Sequence, residues 1–336
     1  MTASALKATL RDSLAALASV AGMSRPSRVL HGRLLILTFH RVLPEELRAR
    51  YPYPGLAVTP EELSWILDCY SEVCDPTTLS DALQQLNDGC SVGPKVAVTF
   101  DDAQWDNFHY AAPVLSRHRM RATFYVPVEA VQTRRALWHD RSGFAWQKLE
   151  HRRNLLRQFP AALAGAPNAG EFAESLKRLD PAERERWVAR LENAAPQAAP
   201  DWSRMMTWEE ILSLARSGHE IGSHSQTHSL LTQLTPGKQR FELENSKQEL
   251  EARLQSRVTS FCYPNGDHDS ALAALTKEVG YLSAVTTRWG LNTVGSSRYE
   301  LRRCDMNTRH LMNRHRQLSQ AHLDMRVAGL TPGLPK

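Results

Sequence analysis

The sequence predicts an α/β protein built around a parallel sheet, and three observations carry that reading. Short apolar or β-branched runs recur along the chain, helix-length amphipathic stretches lie between them, and several runs end on polar or titratable residues. The strand candidates are 34–39, 96–100, 122–126, 220–223, 258–263 and 282–286. Strands alternating with helices call for crossover connections, which leaves a barrel or an open doubly wound sheet.

The helix signals are local. Thr59 is a good N-cap, with Pro60 at the first helical position and Glu62 three residues on, ahead of Leu63, Ile66 and Leu67. Thr207 and Glu210 repeat that box before Ile211 and Leu214, and Gly218 supplies the stop. A helix with alternating charges is expected over 239–254. Residues 137–202 hold no convincing strand; two helical stretches, 143–159 and 171–193, flank a Gly/Pro/Ala-rich 161–170, and 194–200 reads as a linker. That section is taken as a helical insertion in the α/β domain. Residues 5–23 read as an amphipathic helix, with Leu6, Leu10, Leu14 and Leu17 at helical spacing and packing on the body favoured over a membrane surface. The expected organisation is an N-terminal extension, 1–30, followed by a single domain, 31–336, that carries the insertion.

Composition narrows the function classes. Of 336 residues, 42% are apolar and 23% charged, enough to form a core and to exclude a disordered chain. The net charge of +5 is too small to announce a nucleic-acid partner. No run of eighteen apolar residues occurs, and the first twenty residues lack the uninterrupted apolar stretch of a secretory signal. Cys69, Cys74, Cys90, Cys262 and Cys304 are an odd count without a C-x-x-C pair, so neither a disulfide framework nor a thiolate zinc site is expected. A reducing, cytoplasmic setting fits that usage.

The chemistry lies at the strand ends. Lys95-Val-Ala-Val-Thr-Phe runs straight into Asp101 and Asp102; the bland alternative for the pair is a helix cap. The run at 220–223 leads into His224 and His228, two imidazoles four residues apart. On a helical turn that spacing puts both on one face, as a shared metal requires. With the carboxylate doublet they point to a two-His-one-carboxylate site, whose three ligands leave a position open for water. A third run ends at Tyr263-Pro264-Asn265-Gly266, and a fourth, 34–39, ends on His40.

Thr99-Phe-Asp-Asp102, Ala122-Thr-Phe-Tyr-Val126, the 218–228 segment with His224 and His228, and Tyr263-Pro-x-Gly266, in this order, resemble the polysaccharide deacetylase (NodB-homology) family. These are the carbohydrate esterases of family four, and the likeness spans about 34–305. The resemblance implies a distorted (β/α) barrel of about seven parallel strands and metal-dependent hydrolysis of a sugar N-acetyl group. It implies Asp102, His224 and His228 as metal ligands and Asp101 as the general base. It also implies the backbone N–H of Asn265 as an oxyanion donor. The ion would be Zn²⁺, with Co²⁺, Ni²⁺ or Mn²⁺ as alternatives.

Departures from the family pattern are equally specific. The arginine expected two residues before the proline is Cys262, and its acidic partner is missing near Arg288-Trp289. Loss of both leaves neither charge stranded. Leu301-Arg-Arg-Cys304 puts a cysteine where the family carries a histidine acid, so His40 becomes the candidate acid. This pattern resembles the exopolysaccharide-biosynthesis branch. Tyr263, Pro264 and Trp138 are the candidate substrate contacts, with packing an equal alternative for Trp138. The arginines at 298, 302, 303, 309, 314 and 316 could meet an anionic glycan, a lipid diphosphate or a membrane, against the plainer reading of a solvated helix face. The expected partner is an N-acetylated carbohydrate, with no nucleic acid.

Overall fold

The computed structural model describes residues 3–71, 77–88, 93–149, 159–160, 163, 165–196 and 198–332. Its strands are β1 (Leu34–Phe39), β2 (Arg41–Val42), β3 (Ala57–Val58), β4 (Lys95–Phe100), β5 (Thr123–Val126), β6 (Glu220–Ser223), β7 (Ser260–Cys262), β8 (Ser283–Trp289) and β9 (Leu301–Asp305). Seven of them form a closed parallel barrel in the order β1-β4-β5-β6-β7-β8-β9, and β9 returns to pair with β1. β2 and β3 make a separate small parallel sheet. The barrel, not the open sheet, is therefore the form the chain takes.

Alternation along each strand builds two layers of core. Leu34 and Ile36 of β1, Ala97 of β4, Tyr125 of β5, Cys262 of β7, Val285 of β8 and Leu301 of β9 fill the barrel interior. Their neighbours Leu35, Leu37, Val96, Val98 and Phe124 pack outward against the helices. Burial on both faces is why these strands read as continuous apolar runs. β9 escaped the strand candidates because its inward positions above Leu301 are Arg303 and Asp305. A hydrophobic scan does not register such a strand.

Helices of eight residues or more are α1 (Ala3–Val20), α2 (Pro60–Ser71), α3 (Leu79–Asn87), α4 (Trp138–Leu149), α5 (Ala169–Lys177), α6 (Pro181–Ala194), α7 (Trp208–Arg216), α8 (Pro236–Leu254), α9 (Ser270–Glu278) and α10 (Gln320–Val327). Both capping boxes form: Thr59 with Glu62, and Thr207 with Glu210. The single helical stretch expected over 171–193 is two helices. Asp180 caps Ala182 and Glu183, and Pro181, lacking an N–H, opens the second. The stretch expected from 143 starts earlier, at Trp138, and its continuation over 150–158 lies outside the described residues. Cys74 and Cys90 lie outside them as well.

Helices α4, α5 and α6 share a core of their own, with Trp146, Phe172, Leu176, Val188 and Leu191 at its centre. A buried arginine fastens them to the barrel. Arg41 Nε donates to Asp106 Oδ1 at 2.7 Å and Nη1 to Asp140 Oδ2 at 2.9 Å, while the Tyr51 hydroxyl donates to Asp140 Oδ1 at 2.7 Å. Burial alone would lower the Arg41 pKa; the two carboxylates more than offset it.

α1 forms where expected but turns the other way. Ala15 and Ala18 are buried and the helix packs on α10, with Arg11 donating to the Met312 carbonyl. Leu6, Leu10, Leu14 and Leu17 face outward. The alanine side wins because small side chains allow close approach and Asp12 accepts there from the Arg314 N–H at 3.1 Å.

On α10, Asp324 Oδ1 is buried without a hydrogen-bond partner among the described residues, and burial pushes the carboxyl pKa up to about 7. An unfolded aspartate titrates near about 4. Between those values folding takes up a proton, so stability falls as pH rises through that window. Asp324→Asn is expected to raise the melting temperature by a few degrees at pH 8 and by less at pH 5, read by circular dichroism.

Candidate active site

The candidate site sits at the carboxyl ends of the strands, where parallel barrels gather reactive groups. Five of the nine non-glycine residues with positive φ among the described residues are there: Asp102, Ala103, Ser225, His228 and Asn265. Asp102 (φ 73°) and Ala103 (φ 50°) turn the chain sharply after β4. After β6, Ser225 (φ 67°) and His228 (φ 57°) fold the loop back, so the histidine pair lies on a left-handed loop rather than the helical turn expected. Glu242 of α8 fastens that loop by accepting from the Thr227 N–H at 2.8 Å. Backbone strain of this kind persists only where the surroundings hold it in place.

The loop geometry brings the imidazoles to one carboxylate. Asp102 Oδ1 lies 3.2 Å from His228 Nε2 and 3.5 Å from His224 Nε2. Tetrahedral coordination with metal–ligand bonds of about 2.0–2.1 Å gives ligand separations of about 3.3 Å, so the donor set fits a Zn²⁺-sized ion. His224 Nδ1 is hydrogen-bonded to the Cys262 carbonyl at 2.7 Å, which orients the ring and leaves Nε2 for a ligand. His228 Nδ1 is buried without a partner among the described residues. Burial holds His228 down to about 4, so its ring is neutral, the form that ligates metals. Burial also works against Asp102 ionising, yet hydrogen bonds from the two histidines keep its pKa well below the usual carboxylate range.

Asp101, the neighbouring carboxylate, has a partner that corrects the sequence expectation. Arg303, reaching inward from β9, donates Nη1 to Asp101 Oδ1 at 2.8 Å and Nη2 to Oδ2 at 2.7 Å. The arginine expected from β7 is absent, but the pairing is not lost; it comes from a different strand. Cys262, inward on β7, leaves room for it, with Sγ 3.4 Å from Arg303 Nη2 and 3.5 Å from Asp101 Oδ2. Burial pushes the Asp101 pKa up, but Arg303 more than offsets it and holds the carboxylate ionised. His40 Nε2 stands 3.8 Å from Asp101 Oδ2. Cys304 plays no part: it is buried in the outer core with its thiol against the Gly290 carbonyl, and burial pushes the thiol up to about 12.

These groups line a cavity of about 500 Å³. Trp138 and Asn265 border it. Asn265 (φ 60°) sits on the turn after β7, and the next residue must be glycine: at Gly266 (φ 77°) a Cβ would lie 2.2 Å from Thr287 Oγ1. The Tyr263 ring borders the cavity, stacks on His268, and its hydroxyl donates to the Tyr299 carbonyl at 3.1 Å. Pro264 is buried in the turn, away from the cavity lining. The helical insertion supplies one wall through His139, Ala173, Glu174 and Lys177, and Lys177 Nζ donates to Asn265 Oδ1 at 2.9 Å. His139 Nε2 is 3.8 Å from Asp102 Oδ2.

Arg303 is a site residue that the sequence reading does not name as one, whereas the Trp138-His139-Asp140 run, which it expects could line a sugar cleft, does bring Trp138 and His139 to the cavity. Arg303 had been grouped with a basic cluster on a supposed helix face; that segment is β9 followed by loop. Strand alternation from Leu301 would have turned Arg303 inward. The fold of the insertion brings His139 to Asp102.

The chain thus forms a closed parallel seven-stranded barrel that gathers two carboxylates, two imidazoles and an arginine at the carboxyl ends of its strands. Solved structures agree on the fold: the Streptococcus pyogenes deacetylase PplD in complex with acetate matches with TM-score 0.57 at 18% identity over 84% of this chain and 96% of that one. IcaB from Ammonifex degensii matches with TM-score 0.54 at 18% identity, covering 89% and 97%. YxkH of Bacillus subtilis (strain 168) is 30% identical over 98 residues, 29% of this chain and 35% of YxkH, so the match spans about a third of that relative. The family model "Polysaccharide deacetylase" matches residues 88–284, more than half of the chain. The chain belongs to the polysaccharide deacetylase family, whose chemistry is hydrolysis of N-acetyl amide bonds.

Removing Arg303 would leave Asp101 buried without its cation. Arg303→Ala is expected to cost about 3–5 kcal/mol of stability in urea denaturation. Asp101→Asn in the same chain should restore part of it, because no stranded charge remains.

Proposed function

We propose that the protein is a metal-dependent carbohydrate N-deacetylase acting on an N-acetylated amino-sugar glycan in exopolysaccharide or cell-surface glycan biosynthesis. The observation that carries this reading is the Asp102–His224–His228 ligand set beside an Asp101 held ionised by Arg303. A glycan-binding protein would have no use for that ionised carboxylate.

A divalent ion in the set, Zn²⁺ by its preference for two imidazoles and a carboxylate, supplies Lewis-acid polarisation of the acetyl carbonyl and of water. The protein's own groups do the rest. Asp101 accepts a proton from the attacking water, and Arg303 fixes its orientation so that the free lone pair faces the cavity. The Asn265 N–H meets the oxyanion as the carbonyl carbon becomes tetrahedral. His40, within reach of Asp101, delivers a proton to the leaving nitrogen as the C–N bond breaks, releasing acetate and a free amine. Trp138 supplies an apolar wall for the sugar ring.

Acetate release from N-acetylated oligosaccharides is the direct assay. Chelation is expected to abolish it and Zn²⁺ to restore it; turnover that survives the chelator would falsify the metal assignment. Asp101→Asn should lower kcat by about 10²–10⁴-fold with the ion still bound, measured by metal analysis alongside kinetics. His40→Gln is expected to lower kcat by about 10²-fold with little change in KM. An unchanged kcat would remove His40 from the acid role.

A further inference from the structure

We propose that α1 is a membrane-interface contact that seats its leucine face on an anionic phospholipid surface. The helix buries one side and leaves the other bare. Ala15 and Ala18 meet the body, whereas Leu6, Leu10, Leu17 and Val20 are 61%, 59%, 62% and 83% exposed. Leu6, Leu10, Leu14 and Leu17 fall within an arc of about 80° at 3.6 residues per turn. Four leucines in one exposed stripe are a contiguous apolar face, not scattered surface residues. Nothing among the described residues covers it.

Charge decides what covers it. Residues 1–33 carry Lys7, Arg11, Arg25, Arg28 and Arg33 against a single acid, Asp12. That acid accepts from the Arg314 N–H at 3.1 Å, and Arg314 Nε stands 3.9 Å from its Oδ2. The same contact places the exposed Arg314 next to the body-facing side of the helix. An exposed apolar stripe on a segment whose exposed Lys7, Arg25, Arg28 and Arg33 outnumber its single acid fits a bilayer interface with negative headgroups, each cation adding about 1 kcal/mol near the surface. A second copy of the chain would bring the same cations against each other, which disfavours a dimer through this face. No helix among the described residues is long and apolar enough to cross a membrane, so α1 would lie in the plane of the interface.

The contact also has a sensible place relative to the cavity. The 308–318 segment that holds Arg11 and Asp12 follows directly on Asp305 and Asn307, which line the cavity.

The test is sedimentation of the full chain with phosphatidylcholine vesicles and with vesicles containing 30% phosphatidylglycerol, a composition chosen on the order of the anionic content that attracts basic segments. The chain should pellet with the anionic vesicles and release as salt rises. Leu10→Glu with Leu17→Glu should weaken binding at least about tenfold, and Arg25→Glu with Arg28→Glu at least about threefold. Both pairs are solvent-facing, so an unchanged melting temperature certifies the fold. Absence of vesicle binding, variants that bind as the parent does, or a dimer by light scattering that the leucine variants abolish without any vesicle binding would each overturn the proposal. The readout needs no deacetylation, so it fails or succeeds independently of the proposed activity.

Discussion

The fork between Arg303 and Asp101 is the contact on which the site depends. It spans the barrel from β9 to the end of β4, two strands that do not pair with each other but both pair with β1. A carboxylate buried this deeply is stable only with its counter-charge in place. Closing the barrel with β9 is therefore the step that makes an ionised Asp101 tolerable. Cys262 completes the fit, because a long side chain at that inward position of β7 would compete with Arg303 for the same space. The thiol and the guanidinium are thus one substitution in physical terms, though they lie 41 residues apart.

The Arg41 cluster plays a comparable part for the insertion. Arg41 leaves β1's end and meets Asp106 from the helix after β4 and Asp140 from α4, all three buried. Two carboxylates and one guanidinium in a low-dielectric setting fix relative positions more tightly than apolar contacts do, since any displacement leaves a charge unpaired. The wall of the cavity that carries Trp138 and His139 is held by that arrangement. Its neighbour Asp140 anchors while His139 faces Asp102.

Much of the fold was legible, for a simple reason. Strands buried on both faces write uninterrupted apolar runs, and capping boxes write their own boundaries, as at Thr59 and Thr207. The ligand set was legible because its residues fall at strand ends in short spacings. What the sequence hid was a group whose role depends on tertiary placement: Arg303, inward on a strand without an apolar pattern. The N-terminal helix packs on the body as expected, but through its alanine side and not its leucine stripe. Periodicity states that a helix has two faces; it does not state which face the body takes, and here the alanine face packs.

The concentration of left-handed residues at the cavity has an energetic meaning. Asp102, Ala103, Ser225, His228 and Asn265 each hold a conformation that costs a side-chain-bearing residue of order 1 kcal/mol or more. Glycine at these positions would relieve the strain but would remove the Asp102 carboxylate and the His228 imidazole themselves. The chain instead offsets the cost through fixed contacts: Glu242 on the Thr227 N–H, Ser225 Oγ on the His228 N–H at 3.0 Å, and Thr287 Oγ1 on the Asn265 carbonyl at 3.1 Å. Each of those contacts locks a loop that carries a reactive group. The positions of Asp102, His224 and His228 are thereby set by the fold itself, so the cluster is preorganised.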